Sequence, residues 1–345
     1  MNNIINTSYK KRTCILFVLG TALLMVVFLL NICLGSVHIS FDEIKNAFTE
    51  NDKTAYSHYI IITTIRLPRI LAAFIGGASL AVSGLMMQIF FQNPIVEPYI
   101  LGISSGANLF VGLVMLGGFT FGLSHISSTG MLIGAFLGAM LIMLIVILVS
   151  QKVKSITTLL IIGLMLGYIC SAVTSILTAL ADREKIAGFS LWTMGSFAGF
   201  KWSDVQYVYI VTIPFLIMAF LMSKPLNTML LGEQYAKSMG VSIRLFRFLI
   251  VLVSSVLTAA VTAFAGPVSF VGLAVPHIVR LIFKTSNNKI MIPAVCIYGA
   301  VMVGICDLAA RIIMVPTELP ISAVTSIIGA PIVIYLLMRK KGAKI

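Results

Sequence analysis

The sequence predicts an all-α membrane protein of about ten spanning helices, and three observations carry that expectation. Hydrophobic residues make up 59% of the 345-residue chain and charged residues only 10%, against roughly a half and a quarter in soluble domains. The apolar residues gather into unbroken runs rather than alternating with polar ones, which argues against a transmembrane barrel. The runs are also long enough, since a bilayer-crossing helix needs about 20 predominantly apolar residues. A soluble enzyme, a disordered chain and a coiled coil are excluded.

The elements follow in order along the chain, read here as one polytopic membrane domain over 1–345. Lys10-Lys11-Arg12 precede the first run, 14–34. That run exceeds the core of about 7–15 residues of a signal peptide and no small-residue cleavage site follows it, so it reads as a retained span. Further spans are predicted at 68–91, 99–118, 129–149, 156–180, 205–222, 246–265, 268–283, 290–313 and 321–338. Span 99–118 opens after Pro94, Pro98 and Gly102, and the short span 268–283 carries Pro276. Polar stretches 35–66 and 182–204 are predicted as outer loops, and 223–245 as a cytosolic segment.

Orientation follows from the Lys/Arg bias of the loops. With both termini in the cytosol, most of the 24 basic residues fall on that side, against only Glu97 and Glu233 among the acids. The net charge of +13 is then a topology signal, and a nucleic-acid partner is not needed to explain it. The five cysteines (Cys14, Cys33, Cys170, Cys296, Cys306) lie in apolar runs without C-x-x-C spacing and read as packing residues.

There is an internal echo. Arg66-Leu67-Pro68-Arg69-Ile70-Leu71 resembles Arg244-Leu245-Phe246-Arg247-Phe248-Leu249, and each run enters a span that ends near a proline motif. The assigned topology puts the first pair outside and the second inside, which predicts an inverted repeat of the kind transporters build their pathways between. Chance similarity between apolar runs is the competing explanation. Glycines four apart (Gly130, Gly134 and Gly138; Gly163 and Gly167) and Gly76, Gly77 and Gly84 point to close helix packing.

Chemistry-bearing residues are few. Only Asp307 falls well inside a span, with Arg311 one turn later where the two can pair. That scarcity argues against a stand-alone proton- or sodium-coupled secondary transporter, the rival from another class. No phosphate-binding G-x-x-x-x-G-K-[ST] is present, so energy would be supplied by another chain. Gly102-Ile103-Ser104-Ser105-Gly106 matches G-x-S-x-G, but that motif needs a preceding strand and here lies in an apolar helix. His38, His58 and His125 fall in or beside outer loops, and His277 follows Pro276 as a structural histidine. No catalytic or metal-binding set is read. Within 223–245, Leu231 to Val241 forms a short amphipathic helix ended by Gly240, a residue suited to a left-handed stop. Either an ordinary surface loop or a docking helix for a cytosolic protein fits that pattern.

Taken together, these motifs resemble those of a known family. Arg66 to Leu71, Gly76 to Gln88, Asn93-Pro94-Ile95-Val96-Glu97-Pro98 through Ala107, and Trp192 to Phe197 carry the likeness. So do Gly232 to Gly240, Gly266-Pro267, Phe270 to Arg280, Asp307-Leu308-Ala309-Ala310-Arg311, Leu319-Pro320 and Gly329-Ala330-Pro331. The chain from about 60 to 340 is similar to the permease subunits of iron-siderophore, haem and cobalamin ATP-binding-cassette importers, the FecCD-like type II class.

The resemblance implies a multi-pass protein of the bacterial cytoplasmic membrane that is not itself an enzyme. It implies a second permease copy (homodimer or close paralogue), two cytosolic ATPase subunits that bind ATP and Mg, and an extracytoplasmic substrate-binding protein. The cargo it implies is an iron chelate, with haem or cobalamin as alternatives, and no cofactor in this chain. By the same resemblance Arg66, Arg69 and Arg311 dock the binding protein. Gly232, Glu233, Ala236, Met239 and Gly240 couple to the ATPase. Asn93, Ile95, Ile156 and Thr157 form the inner gate, Ile156 being apolar where relatives can carry a hydroxyl.

Overall fold

A computed structural model describes residues 2–49, 53–118, 128–153 and 155–339. His125, Glu50, Asp52, Lys154, Lys340, Lys341 and Lys344 lie outside the described residues. Every regular element among those described is helical. In order they are α1 (Asn2–Cys33), α2 (Phe41–Thr49), α3 (Lys53–Ile60), α4 (Leu67–Phe90), α5 (Ile103–Met115), α6 (Ser128–Lys152), α7 (Ile156–Leu180) and α8 (Arg183–Thr193). There follow α9 (Trp202–Leu221), α10 (Ser223–Met229), α11 (Glu233–Ser238), α12 (Ile243–Ala265), α13 (Val271–Phe283), α14 (Asn288–Ile312) and α15 (Ile321–Arg339).

Ten of these occupy the ten expected spans. Seven have the length and hydropathy to cross a membrane, while α5, α13 and α15 are shorter apolar helices. The polar stretches are more ordered than loops. Over 35–66 the chain forms α2 and α3, and a π-helical stretch, Ile61–Arg66, carries α3 into α4 without a break. The physical reason is amphipathicity: Ala47 and Ile44 of α2 pack onto Ile32, Ile39 and Ile62, and Glu43 accepts the Ser40 backbone N–H at 2.7 Å at the start of that helix. Likewise 182–204 contains α8, and 223–245 contains α10 and α11.

Helix α4 is the centre of the bundle, buried along nearly its whole length. It runs antiparallel to α14, with Gly77 against Gly299, and antiparallel to α12, where the Ser83 hydroxyl donates to the Ser254 carbonyl at 2.8 Å. Small residues at these crossings bring backbones close enough for dispersion to act where lipid offers no hydrophobic drive. The inverted repeat is visible in the pairings: α4 packs on α14 as α12 packs on α6, and α5 packs on α6 and α7 as α13 packs on α14 and α15.

Two of the helices begin inside the bundle. The chain leaves α4, crosses 92–102 in mostly non-helical form and starts α5 after Gly102, which is left-handed (φ 78°). The chain leaves α12, crosses 266–270 and starts α13 after Phe270, also left-handed (φ 66°). Pro98 abuts Gly272, and Gly272 abuts Gly84, about three-quarters of the way along α4, so the two breaks meet within the bundle. The predicted starts at 99 and 268 are therefore early by about one turn.

Candidate functional site

Helix α4 fixes two separate ends. Arg66 and Arg69 stand where it begins, and Gln92, just past its last turn, donates to the Met229 carbonyl at 3.3 Å, beside α11. A helix of 24 residues is about 35 Å long, and that is the spacing between the arginine end and the α11 end.

At the arginine end, all three arginines singled out from sequence are buried, with Arg66 4%, Arg69 6% and Arg311 7% exposed. Arg66 donates to the carbonyls of Ile32 and Val37, which close the end of α1. Arg69 reaches across to α14: its Nε donates to both oxygens of Asp307 at 3.0 Å, and its Nη2 to Oδ1 at 2.9 Å. The remaining edge, Nη1, donates to Glu318 at 2.8 Å. Asp307 is only 1% exposed, whereas the Glu318 side chain is 42% exposed. Arg311 Nη2 donates to Asn31 of α1, and its Nε lies 3.4 Å from Asp307 without the alignment of a hydrogen bond.

The Asp307–Arg311 pair expected from helical spacing is present at 3.4 Å, and the shorter, bidentate contact comes from Arg69, 238 residues away. Burying so many charges is tolerable only where each is paired, and here two carboxylates, one amide and two carbonyls serve three guanidinium groups.

At the other end, α11 is a single short helix. Gly232 (φ 104°) and Gly240 (φ 85°) bracket it in conformations that side chains with a Cβ rarely adopt. Glu233 accepts from Arg247 Nη2 at 2.9 Å through both oxygens, and Arg247 Nη1 donates to the Val153 carbonyl past the end of α6 at 2.9 Å. This arrangement mirrors Arg69 at the opposite end. Ala236 is fully buried, while Met239, Tyr235 and Leu231 are exposed, so α11 offers an apolar outer rim on an anchored base.

The four gate candidates divide. Asn93 accepts the Ile95 N–H at 3.0 Å, a turn that holds the Ile95 side chain exposed. Ile156 and Thr157 open α7, which is capped by the Ser155 hydroxyl accepting from the Thr158 N–H at 3.3 Å, and Thr157 is exposed.

Glu97, counted with the acids of the cytosolic side, turns into the bundle rather than out to solvent. Its Oε1 is buried without a hydrogen-bond partner, and the carboxylate lies close to the backbone N–H of Phe270. Two residues on, the Tyr99 hydroxyl accepts the Val268 N–H at 3.0 Å. The first break is thereby stitched to the second. No spacing in the sequence signals this, because the contact joins residues about 170 positions apart.

The other polar candidates behave as packing. Ser104 lies buried in the first turn of α5, preceded by the left-handed Gly102 rather than by a strand. The His277 ring Nδ1 is 2.9 Å from the Leu273 carbonyl. Among the described residues no group of three or more His, Cys, Asp or Glu side chains is placed to hold a metal ion.

A family model, the FecCD transport family, matches residues 23–339. The chain belongs to that family. It is 32% identical over 321 residues to the hemin transport system permease protein HmuU of Yersinia pestis, covering 92% of this chain and 94% of that protein. It is 34% identical over 322 residues to the vitamin B12 import system permease protein BtuC of Yersinia pseudotuberculosis, covering 93% and 92%. A metal-chelate type ABC transporter solved in an inward-facing conformation superimposes with a TM-score of 0.83 at 31% identity, over 94% of this chain and 99% of that one. The chain is thus a multi-pass membrane permease of the ABC-importer class.

Proposed function

We propose that this permease imports a ferric chelate across a bacterial cytoplasmic membrane. In this reading two copies, or one copy and a close paralogue, enclose the pathway. Two cytosolic subunits bind and hydrolyse ATP with Mg, and an extracytoplasmic binding protein delivers the cargo. This chain itself contributes no catalytic group and no resident cofactor.

The observation that carries the reading is the separation of two anchored sites by the length of α4. The arginine end faces outward in this account, consistent with the Lys/Arg bias of the opposite side, and Arg66, Arg69 and Arg311 meet carboxylates of the binding protein. The α11 end faces the cytosol, where Gly232, Glu233, Ala236, Met239 and Gly240 form the lever on which the ATPase acts. Asn93, Ile95, Ile156 and Thr157 lie on that same side, as an inner gate would. The stitched breaks give the lever a path inward, since moving α11 and α12 pulls on 266–270 and hence on Glu97 and Tyr99.

The relatives named for hemin and vitamin B12 supply the competing cargoes. Reconstitution in liposomes with the cognate ATPase and binding protein tests the proposal directly. Uptake of a radioiron-labelled ferric siderophore is expected to require both partners and ATP, and to exceed uptake of haemin and of cyanocobalamin. Uptake by the permease alone under an ion gradient would refute it in favour of a secondary transporter. Preference for haemin or cobalamin would replace the cargo while keeping the mechanism.

A further inference from the structure

The pairing of Arg69 is asymmetric. One edge of its guanidinium, Nε and Nη2, is locked to Asp307, a carboxylate 1% exposed on the body of α14. The other edge, Nη1, is covered by Glu318, whose side chain is 42% exposed. Glu318 sits on the connection between α14 and α15, where residues 312–318 are all exposed. That connection is held mainly at its far side, by the Leu319 N–H donating to the Ala310 carbonyl at 2.9 Å. The two carboxylates therefore differ in setting: one is buried in the body of α14, and the other lies on an exposed connection.

We infer that Glu318 is an internal stand-in for the carboxylate of a docking partner, a latch that covers the outward edge of Arg69 and must be displaced when the partner binds. The inference rests on the proposed docking role of Arg69 and adds its regulation. A buried guanidinium with an open edge would be costly whenever no partner is present. Glu318 removes that cost in the undocked state. Docking then becomes an exchange of one carboxylate for another, which keeps it reversible, as a partner that must leave after each delivery requires. The displaced Glu318 remains close by as a like charge facing the incoming acid.

The test uses the full chain in lipid nanodiscs and two readouts. The first needs no partner. Arg69 modification by phenylglyoxal, followed by peptide mass spectrometry with Arg66 as internal reference, is expected to speed up several-fold in Glu318→Gln and to stay at the wild-type rate in Glu318→Asp. An unchanged rate in Glu318→Gln overturns the latch. The second readout is the affinity of the purified cognate binding protein. Glu318→Gln is expected to dock at least about threefold tighter, the factor given by removing one like charge about 6 Å away in a water-like dielectric, and the gain should shrink as salt screens it. Glu318→Ala repeats the measurement if the amide disturbs the loop. Wild-type docking with no gain in either variant overturns the latch and leaves the docking reading standing. No docking by the wild type overturns the docking reading, and the latch falls with it.

Discussion

The closest approach of α4 and α14 gives a prediction that can be worked from distances. A methyl group added at Gly299 would sit 2.5 Å from the Gly77 carbonyl oxygen and 2.7 Å from Ala81 Cβ. Carbon contacts are comfortable at about 3.5–4.0 Å, so α14 must retreat by roughly 1 Å. The neighbouring atoms are backbone and a short side chain, and neither can swing aside. Overpacking of this kind costs about 1–3 kcal/mol, and the better helix propensity of alanine returns at most about 1 kcal/mol. The retreat also strains the Arg69–Asp307 bonds further along the same seam, where the donors stand at 2.9–3.0 Å. Gly299→Ala is therefore expected to lose about 1–3 kcal/mol of stability. The control is Gly112→Ala on α5, where the nearest atom lies 3.7 Å away, and this variant should be neutral or slightly more stable. Reversible unfolding of both variants in SDS–lipid mixed micelles, followed by circular dichroism, measures the difference. Equal stabilities, or a more stable Gly299→Ala, would refute the packing argument.

Asp307→Ala strips Arg69 of its bidentate partner, leaving it only Glu318, and should destabilise the protein by up to about 3–5 kcal/mol, the range for breaking a buried ion pair, seen as a fall in the thermal midpoint in detergent. Tyr99→Phe leaves the Val268 N–H without its acceptor and should cost about 1–3 kcal/mol, detectable as faster hydrogen exchange over 266–270. At the surface, the Ser40 backbone N–H and hydroxyl hold Glu43 below the ordinary carboxylate range. The carboxylate therefore binds its proton less readily folded than unfolded, so its contribution is present at neutral pH and is lost as pH falls through the depressed folded value. Exchange protection of α2 should drop in acid, and Glu43→Gln should abolish that dependence.

Much of the fold was legible because a membrane span is a composition as much as a structure. The ten runs, the glycine-lined crossings and the Arg66/Arg69 echo at Arg244/Arg247 all register in local sequence. The starts of α5 and α13 were not, because Val268 and Phe270 are as apolar in an extended break as in a helix. The burial of the Glu97 carboxylate was hidden for the converse reason: a charge between two spans looks solvated unless the re-entry of the chain is known. Asp307 shows the limit of spacing arguments. Helical periodicity finds Arg311 on the same turn face, but the stronger partner comes from α4, and Glu318 from a loop whose sequence carries no sign of it. At the α11 end, Gly240 as the stop was readable, whereas the clasp of Glu233 by Arg247 was not.

The stitching of Tyr99 to Val268, with Glu97 beside Phe270, has a consequence for biosynthesis. The acceptor emerges from the ribosome about 170 residues ahead of its donor, a delay of roughly 8–34 s at ordinary elongation rates. Throughout that interval the Tyr99 hydroxyl lacks the Val268 N–H it accepts in the finished fold, and the first break has no second break to pack against. The molecule matures only when its second half arrives to close the seam.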